Sequence, residues 1–349
     1  MRWIDKEENT IIVAKKRMGY SMRRIVFLLL LFITVPFAIG CDSSDNTLDE
    51  KPSLTVITTI YPLADITRQL GGDLVNVICL LPTGASPHTY EPTVDQARLI
   101  SEAQMFVFIG AGLDDWGADL ANAAGPKLHL IDLSTSVTLL EEGVHLMPAP
   151  VDDKEASTIK QGLSDLQDKE SDHDHRQGTM NPHYWLDPVI VSDQICPFIF
   201  QELVYLLPDE EAYFKERMDN YCNELALLDE EIKTNVASFS SRKFIAFHSA
   251  WQYFASRYNL EQAAVIAGSP GREPSAGWIA DLIDLVEREQ IKAVFAEPQF
   301  SQDLADRIAE EGGIEVHILD PLGGENIPGK ETYLSLMRYN LAVFREVLD

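Results

Sequence analysis

The chain has 349 residues, enough for two domains of ordinary size, and 46% of them are hydrophobic, which excludes a disordered polymer. Its 28 basic residues against 55 acidic ones leave a formal charge of −27. That balance argues against a nucleic-acid partner, whose phosphates need a basic surface.

Near the N-terminus, Arg23 and Arg24 precede an apolar run from Ile25 to Ile33, then Pro36-Phe37-Ala38-Ile39-Gly40-Cys41. A basic segment, a short apolar core and small residues before the cut describe a secretory signal over residues 1–40. The apolar run is too short to span a bilayer comfortably. Residues 1–21 make an unusual leader, and translation from Met18 or Met22 would shorten it. Cys41 after Ala38-Ile39-Gly40 resembles a bacterial lipobox, so Cys41 is the expected lipidation site. A plain cleaved signal with an incidental cysteine is the alternative. Residues 41–52 are polar and without periodicity, which reads as a flexible tether. Beyond Cys41 remain Cys79, Cys196 and Cys222, with no C-x-x-C, so neither a disulfide framework nor a thiolate metal site is implied. Cys196 and Cys222 pair only if the fold brings them close.

The body alternates strand-like and helix-like patterns, the mark of an α/β fold. Leu54–Thr59 reads as a strand, and a helix opens at Pro62 and stops at Gly71-Gly72. Leu74–Leu81 is a second strand. Thr93-Val94-Asp95-Gln96 has a capping-box pattern and starts a helix. Met105–Ile109 and Leu128–Ile131 are further strands. From about Leu140 to Asn181 the periodicity gives way to an acidic loop containing His145, His173 and His175. Pro208 precedes a long helix over residues 209–236, with one apolar face through Phe214, Met218, Tyr221, Leu225, Leu228 and Ile232. It reads either as a spine between two lobes or as a surface helix of the second. The alternation then resumes, with strands at 243–247, 263–266, 293–296 and 315–319, helices at 250–257, 275–289 and 301–311, and a closing helix from about Glu331.

Four residues stand out where apolar runs stop. His88, His248 and Asp320 follow strand-like runs, and His183 sits in the turn-like Asn181-Pro182-His183-Tyr184-Trp185-Leu186-Asp187-Pro188. Ligands of open α/β sheets bind beyond the carboxyl ends of the strands, and imidazole with carboxylate suits a borderline-soft divalent metal. Spacing alone leaves each of these histidines more often a hydrogen-bonded structural residue than a ligand. Two of the four fall in each half, so a ligand set would straddle an interdomain cleft. Glu297 ends a strand and is either a partner that orients a ligand or half of a core ion pair. Asp132, His129 and His317 read as structural.

The motifs around these residues carry a resemblance. Thr59-Ile60-Tyr61-Pro62, Pro87-His88-Thr89-Tyr90-Glu91-Pro92-Thr93, Pro182-His183-Tyr184-Trp185-Leu186-Asp187-Pro188, Phe247-His248-Ser249-Ala250-Trp251, Phe295-Ala296-Glu297-Pro298 and Leu319-Asp320-Pro321-Leu322-Gly323 occur in order. From about Leu54 to the C-terminus the chain resembles the metal-binding component of bacterial zinc and manganese ABC importers. The resemblance implies an α/β fold of two lobes joined by a long rigid helix, with a metal site in the interlobe cleft. It divides the chain into an N-terminal lobe at 53–207, a linking helix at 208–238 and a C-terminal lobe at 239–349. It implies His88, His183, His248 and Asp320 as ligands, Asp320 being the one for which water substitutes in some members. Manganese-selective members carry Glu where this chain has His248, and imidazole suits zinc, so Zn²⁺ is the expected cargo and Mn²⁺ the alternative. His173 and His175 form a possible weak accessory site.

The implied partners are an ABC permease and its ATPase, with the protein a monomer held outside the cytoplasmic membrane by its lipid anchor. No catalysis is implied. A three-histidine zinc hydrolase is the competing class, and a surface adhesin role is compatible with transport. Protons compete with metal for imidazole, so affinity is expected to fall as pH drops through about 6.5.

Overall fold

The computed structural model describes residues 53–125, 127–143, 180–268 and 274–349. The signal segment, Cys41, the tether, His145, His173 and His175 lie outside the described residues.

Two parallel four-stranded sheets organise the described chain. In the first, β1 (Leu54–Thr58), β2 (Val75–Cys79), β3 (Met105–Phe108) and β4 (His129–Asp132) lie in the order β2-β1-β3-β4. In the second, β5 (Lys243–Ala246), β6 (Glu261–Val265), β7 (Ala293–Ala296) and β8 (Glu315–Ile318) repeat it as β6-β5-β7-β8. No sequence repeat announces this shared order. All pairings are parallel, and parallel sheets need a covering layer on both faces, which the intervening helices supply. β3 and β7 are buried at every residue, so these inner strands read as unbroken apolar runs.

The first lobe carries α1 (Tyr61–Gly71), α2 (Val94–Glu102) and α3 (Asp115–Ala124). The capping box read at Thr93 is present. The Thr93 side chain accepts from Gln96 N–H, and the Gln96 side chain accepts from Thr93 N–H. Sequence patterning did not reveal α3, whose Gly117 is a poor helix residue. Packing requires it there, because a Cβ on Gly117 would lie 2.9 Å from Thr59 and 3.0 Å from Phe106. Patterning also missed α4 (Pro188–Leu206), which is apolar almost throughout and contains a π-helical turn at Val191–Ile195.

The long helix α5 (Glu211–Ala237) buries Phe214, Tyr221, Leu225, Leu228, Ile232 and Val236. Met218 packs half-buried beside them, so the expected apolar face is the one that turns inward. The second lobe adds α6 (Gln252–Tyr258), α7 (Ala276–Glu289), α8 (Asp303–Gly312) and α9 (Tyr333–Leu348). One continuous apolar cluster runs from Leu54 and Val56 of the first sheet through the α5 face to Phe244, Trp251, Phe254 and Phe344. Asp65 on α1 is buried and accepts a hydrogen bond from Tyr333 N–H at 2.7 Å, which ties the first lobe to the start of α9. Burial pushes its carboxyl above the usual range.

Cys196 of α4 and Cys222 of α5 are free thiols that influence each other's titration. Cys196 lowers the Cys222 thiol to about 7, and burial raises Cys196. The α5 face makes a direct expectation. Leu228→Ala deletes a fully buried side chain from the shared cluster and should cost about 2–5 kcal/mol in urea unfolding.

Candidate metal centre

The carboxyl ends of both sheets supply the site. β5 ends at Ala246, and His248 follows two residues later. β7 ends at Ala296, and Glu297 follows directly. β5 and β7 are neighbours with opposite onward connections to β6 and β8, so His248 and Glu297 emerge at the switch point where an open sheet forms its crevice. From the first lobe, the loop after β2 delivers His88. Trp116 Nε1 donates to Pro87 O at 2.9 Å, and the Tyr90 ring meets Trp116 edge-on at 5.0 Å. His183 comes from the turn ahead of α4. Trp185 beside it is fully buried and donates to Pro321 O at 2.9 Å.

His88, His183 and His248 converge, and their ligand atoms lie within 4.8 Å of one another. His183 Nε2 is 3.1 Å from both His88 Nε2 and His248 Nε2. The opposite face of two rings is tied down. His183 Nδ1 donates to Asn181 Oδ1 at 2.9 Å, and His248 Nδ1 donates to Glu297 Oε1 at 2.6 Å. A neutral imidazole that donates from Nδ1 presents its lone pair at Nε2, so the Asn181 bond turns the His183 lone pair into the shared space, and the Glu297 bond turns His248 Nε2 the same way. Asn181 is itself clamped, donating to Ser249 O at 2.7 Å and Gln252 Oε1 at 2.9 Å. Sequence reading gave Asn181 no role, although it stands two residues before His183. The Glu297 carboxylate that accepts from His248 is 1% exposed. Its Oε2 is buried without a hydrogen-bond partner, as is Gln299 Oε1.

Asp320 differs from the expected ligand set. Its carboxylate is outside the converging group. Oδ1 accepts from Leu322 N and Gly323 N, both at 3.0 Å, and from Gln299 Nε2 at 3.2 Å. Oδ2 accepts from Lys330 Nζ at 2.7 Å. The strand end placed Asp320 near the crevice, but these donors hold the carboxylate elsewhere. Of the residues read as structural, His129 pairs with Glu202, Asp132 accepts from Ser134 N–H, and His317 lies 3.4 Å from Glu315.

The two ends of the acidic loop meet beside the site. Asn181 N–H donates to Leu140 O at 2.8 Å, and Glu141 bridges Met180. The first lobe has its own buried carboxylate. Asp114 accepts from Thr59 Oγ1, Ile109 N and Gly110 N, and burial raises it to about 6. Gly110 has φ of +75°, and a Cβ there would strike Asp132 at 2.1 Å, so no other residue makes this turn without strain.

Burial sets the protonation of His88 and His183. Desolvation, then the neighbouring His248, lowers His88 to about 3. Desolvation, then His248 and His88, pushes His183 well below the usual imidazole value. Both therefore stand as neutral lone-pair donors at pH 7. For these two residues, proton competition with a metal moves well below the expected 6.5. Two neutral imidazoles and the His248 ring converging on one point make a nitrogen donor set suited to a borderline-soft cation.

The chain matches the family described as zinc-uptake complex component A, periplasmic, over residues 56–347. It is 30% identical over 332 residues to the zinc-binding lipoprotein AdcA of Streptococcus pneumoniae serotype 4 (strain ATCC BAA-334 / TIGR4), covering 93% of this chain and 61% of that relative. It is 27% identical over 338 residues to the high-affinity zinc uptake system protein ZnuA of Bacillus subtilis (strain 168), covering 96% of this chain and 98% of that one. A crystal structure of ZnuA superposes with a TM-score of 0.71 at 30% identity, over 85% of this chain and 99% of that one. The chain thus spans 61% of the length of the streptococcal protein.

The lowered histidine values give a signed expectation for the metal-free protein. Below pH 6.5 the unfolded chain takes up protons that folded His88 refuses until about pH 3. Stability is therefore full above 6.5 and declines through that window by up to about 1.4 kcal/mol per pH unit for each such imidazole. Melting temperatures of chelator-treated protein at pH 7.5, 6 and 5 should show it, with a shallower decline in His88→Gln.

Proposed function

The chain belongs to the family of zinc-uptake complex component A proteins, and from that premise we propose that it captures Zn²⁺ outside the cytoplasmic membrane and hands it to an ABC-type permease with its ATPase. The observation that carries this is the convergence of three imidazole nitrogens, two of them 3.1 Å from the third. A tetrahedral zinc with Zn–N bonds of about 2.05 Å has nitrogen–nitrogen edges of about 3.3 Å, so this spacing is near that of a zinc-centred triad. Three nitrogens favour zinc over manganese, which prefers carboxylate and water. The names of the relatives agree, AdcA being described as zinc-binding and ZnuA as a zinc uptake protein.

The chemistry of capture follows from the chain's own groups. His88, His183 and His248 are the proposed ligands, and Asn181 and Glu297 orient two of them. The Glu297 carboxylate, 2.6 Å from His248 Nδ1, makes that ring a stronger donor and offsets part of the cation's charge. Trp185, Phe300 and Leu322 line the cavity and thin the water around it. The cavity is about 10 Å³, far below the roughly 300–1,000 Å³ of organic-ligand pockets. That size suits an ion with little water and disfavours the hydrolase reading. Extracytoplasmic residence and a lipid anchor at Cys41 complete the proposal, with the monomer as the working unit. The signal-like segment and the lipoprotein naming of AdcA support it.

Two measurements test these points. Zinc titration against a competing chelator should show His88→Ala and His248→Ala weakened by at least about 100-fold, since orienting partners alone are worth ~10–100-fold. Wild-type affinity in both variants would refute the ligand assignment. Fractionation of cells expressing Cys41→Ala should move the protein from membrane to soluble fractions, and continued membrane association would refute the anchor.

A further inference from the structure

Asp320 and Lys330 form a buried ion pair at the edge of the site. Their side chains are 1% and 11% exposed, and Nζ to Oδ2 is 2.7 Å. The rest of the carboxylate is saturated by the three donors on Oδ1. Lys330 has a second restraint, its ammonium lying 4.5 Å from the centre of the Tyr339 ring. A buried pair with its remaining hydrogen-bonding capacity filled holds firmly, because separating it strands two charges in a poor dielectric. The neighbouring Pro321 and Leu322 line the metal cavity, whereas Asp320 does not, and Glu297 is the one acidic residue among the lining. A cation there meets three nitrogens, while the carboxylate two residues before Leu322 is claimed by a lysine.

We propose that Lys330 sets the fourth coordination position, holding the Asp320 carboxylate in an ion pair so that the captured ion keeps three imidazoles and one exchangeable site. The proposal rests on the zinc-capture reading. A cargo protein must release its ion, and an ion with an open position accepts an incoming ligand before it loses an old one. A fourth, anionic protein ligand would close that route, as in structural zinc sites. Removing the Lys330 charge leaves Oδ1 with its three donors and releases Oδ2 alone, the one oxygen then available to the metal, and a carboxylate in the set also improves the fit to manganese.

Zinc affinity and the rate of zinc release to excess chelator, measured at pH 7.5, test this in four proteins. Asp320→Asn should stay within about twofold of wild type in both quantities. Lys330→Met should bind about tenfold tighter and release about tenfold slower, with the manganese-to-zinc affinity ratio raised. Asp320→Asn in the Lys330→Met background should return all three to wild-type values. Lys330→Gln provides the same charge removal with a polar side chain, and circular dichroism checks that each variant is folded. A tenfold or greater loss of affinity in Asp320→Asn alone overturns the proposal, because Asp320 would already be a ligand. So do folded Lys330→Met and Lys330→Gln proteins with wild-type affinity and release. Failure of the wild-type protein to bind zinc at all is a separate result, which overturns the capture reading itself.

Discussion

Three imidazoles turned to one point are the constraint on which the rest of the structure depends. Taking imidazole out of water favours its neutral form, and a neutral ring must place its single N–H. Asn181 and Glu297 take that proton side for His183 and His248, and each is itself fixed, one by Ser249 and Gln252, the other at the end of β7. Four segments must meet for this to happen. Two sheets wound in the same order provide it, since the carboxyl end of each delivers a histidine-bearing loop to the shared cavity.

Much of the fold was legible because its signals are local. Val and Ile runs gave the strands, and the Thr93 capping box and the α5 apolar face gave helices to within a few residues. The helices α3 and α4 were not legible, for opposite reasons. Gly117 weakens the helical pattern because packing against Thr59 and Phe106 demands a residue without Cβ. α4 is apolar nearly all round, with Ile195, Cys196, Ile199 and Leu203 buried, and a helix without a polar face has no period to read. The three histidines were legible only through the motifs around them. Asn181 was missed because an asparagine before a proline reads as a turn. Its clamp on Ser249 and Gln252, some seventy residues away, has no local trace.

The buried carboxylates show how little residue type decides by itself. Asp114 gathers two backbone amides and the Thr59 hydroxyl. Asp65 accepts from the first residue of α9. Glu297 orients a ring, and Asp320 pairs with a lysine ten residues on. All four are nearly excluded from solvent. A strand end predicts that an acid will be near the crevice. Which donor reaches it first decides what it does there, and that is set by tertiary approach.

The unbroken apolar cluster along α5, together with the Asp65 tie to α9, has a mechanical consequence. A jaw-like opening would have to part the cluster along its length and expose side chains such as Leu228, Trp251 and Phe344 to water, at roughly 1.5–3 kcal/mol for each large one. Thermal agitation does not supply several of these at once. The cluster therefore gives the molecule a stiff back, and the loops that carry His88 and Pro321 can shift without parting it.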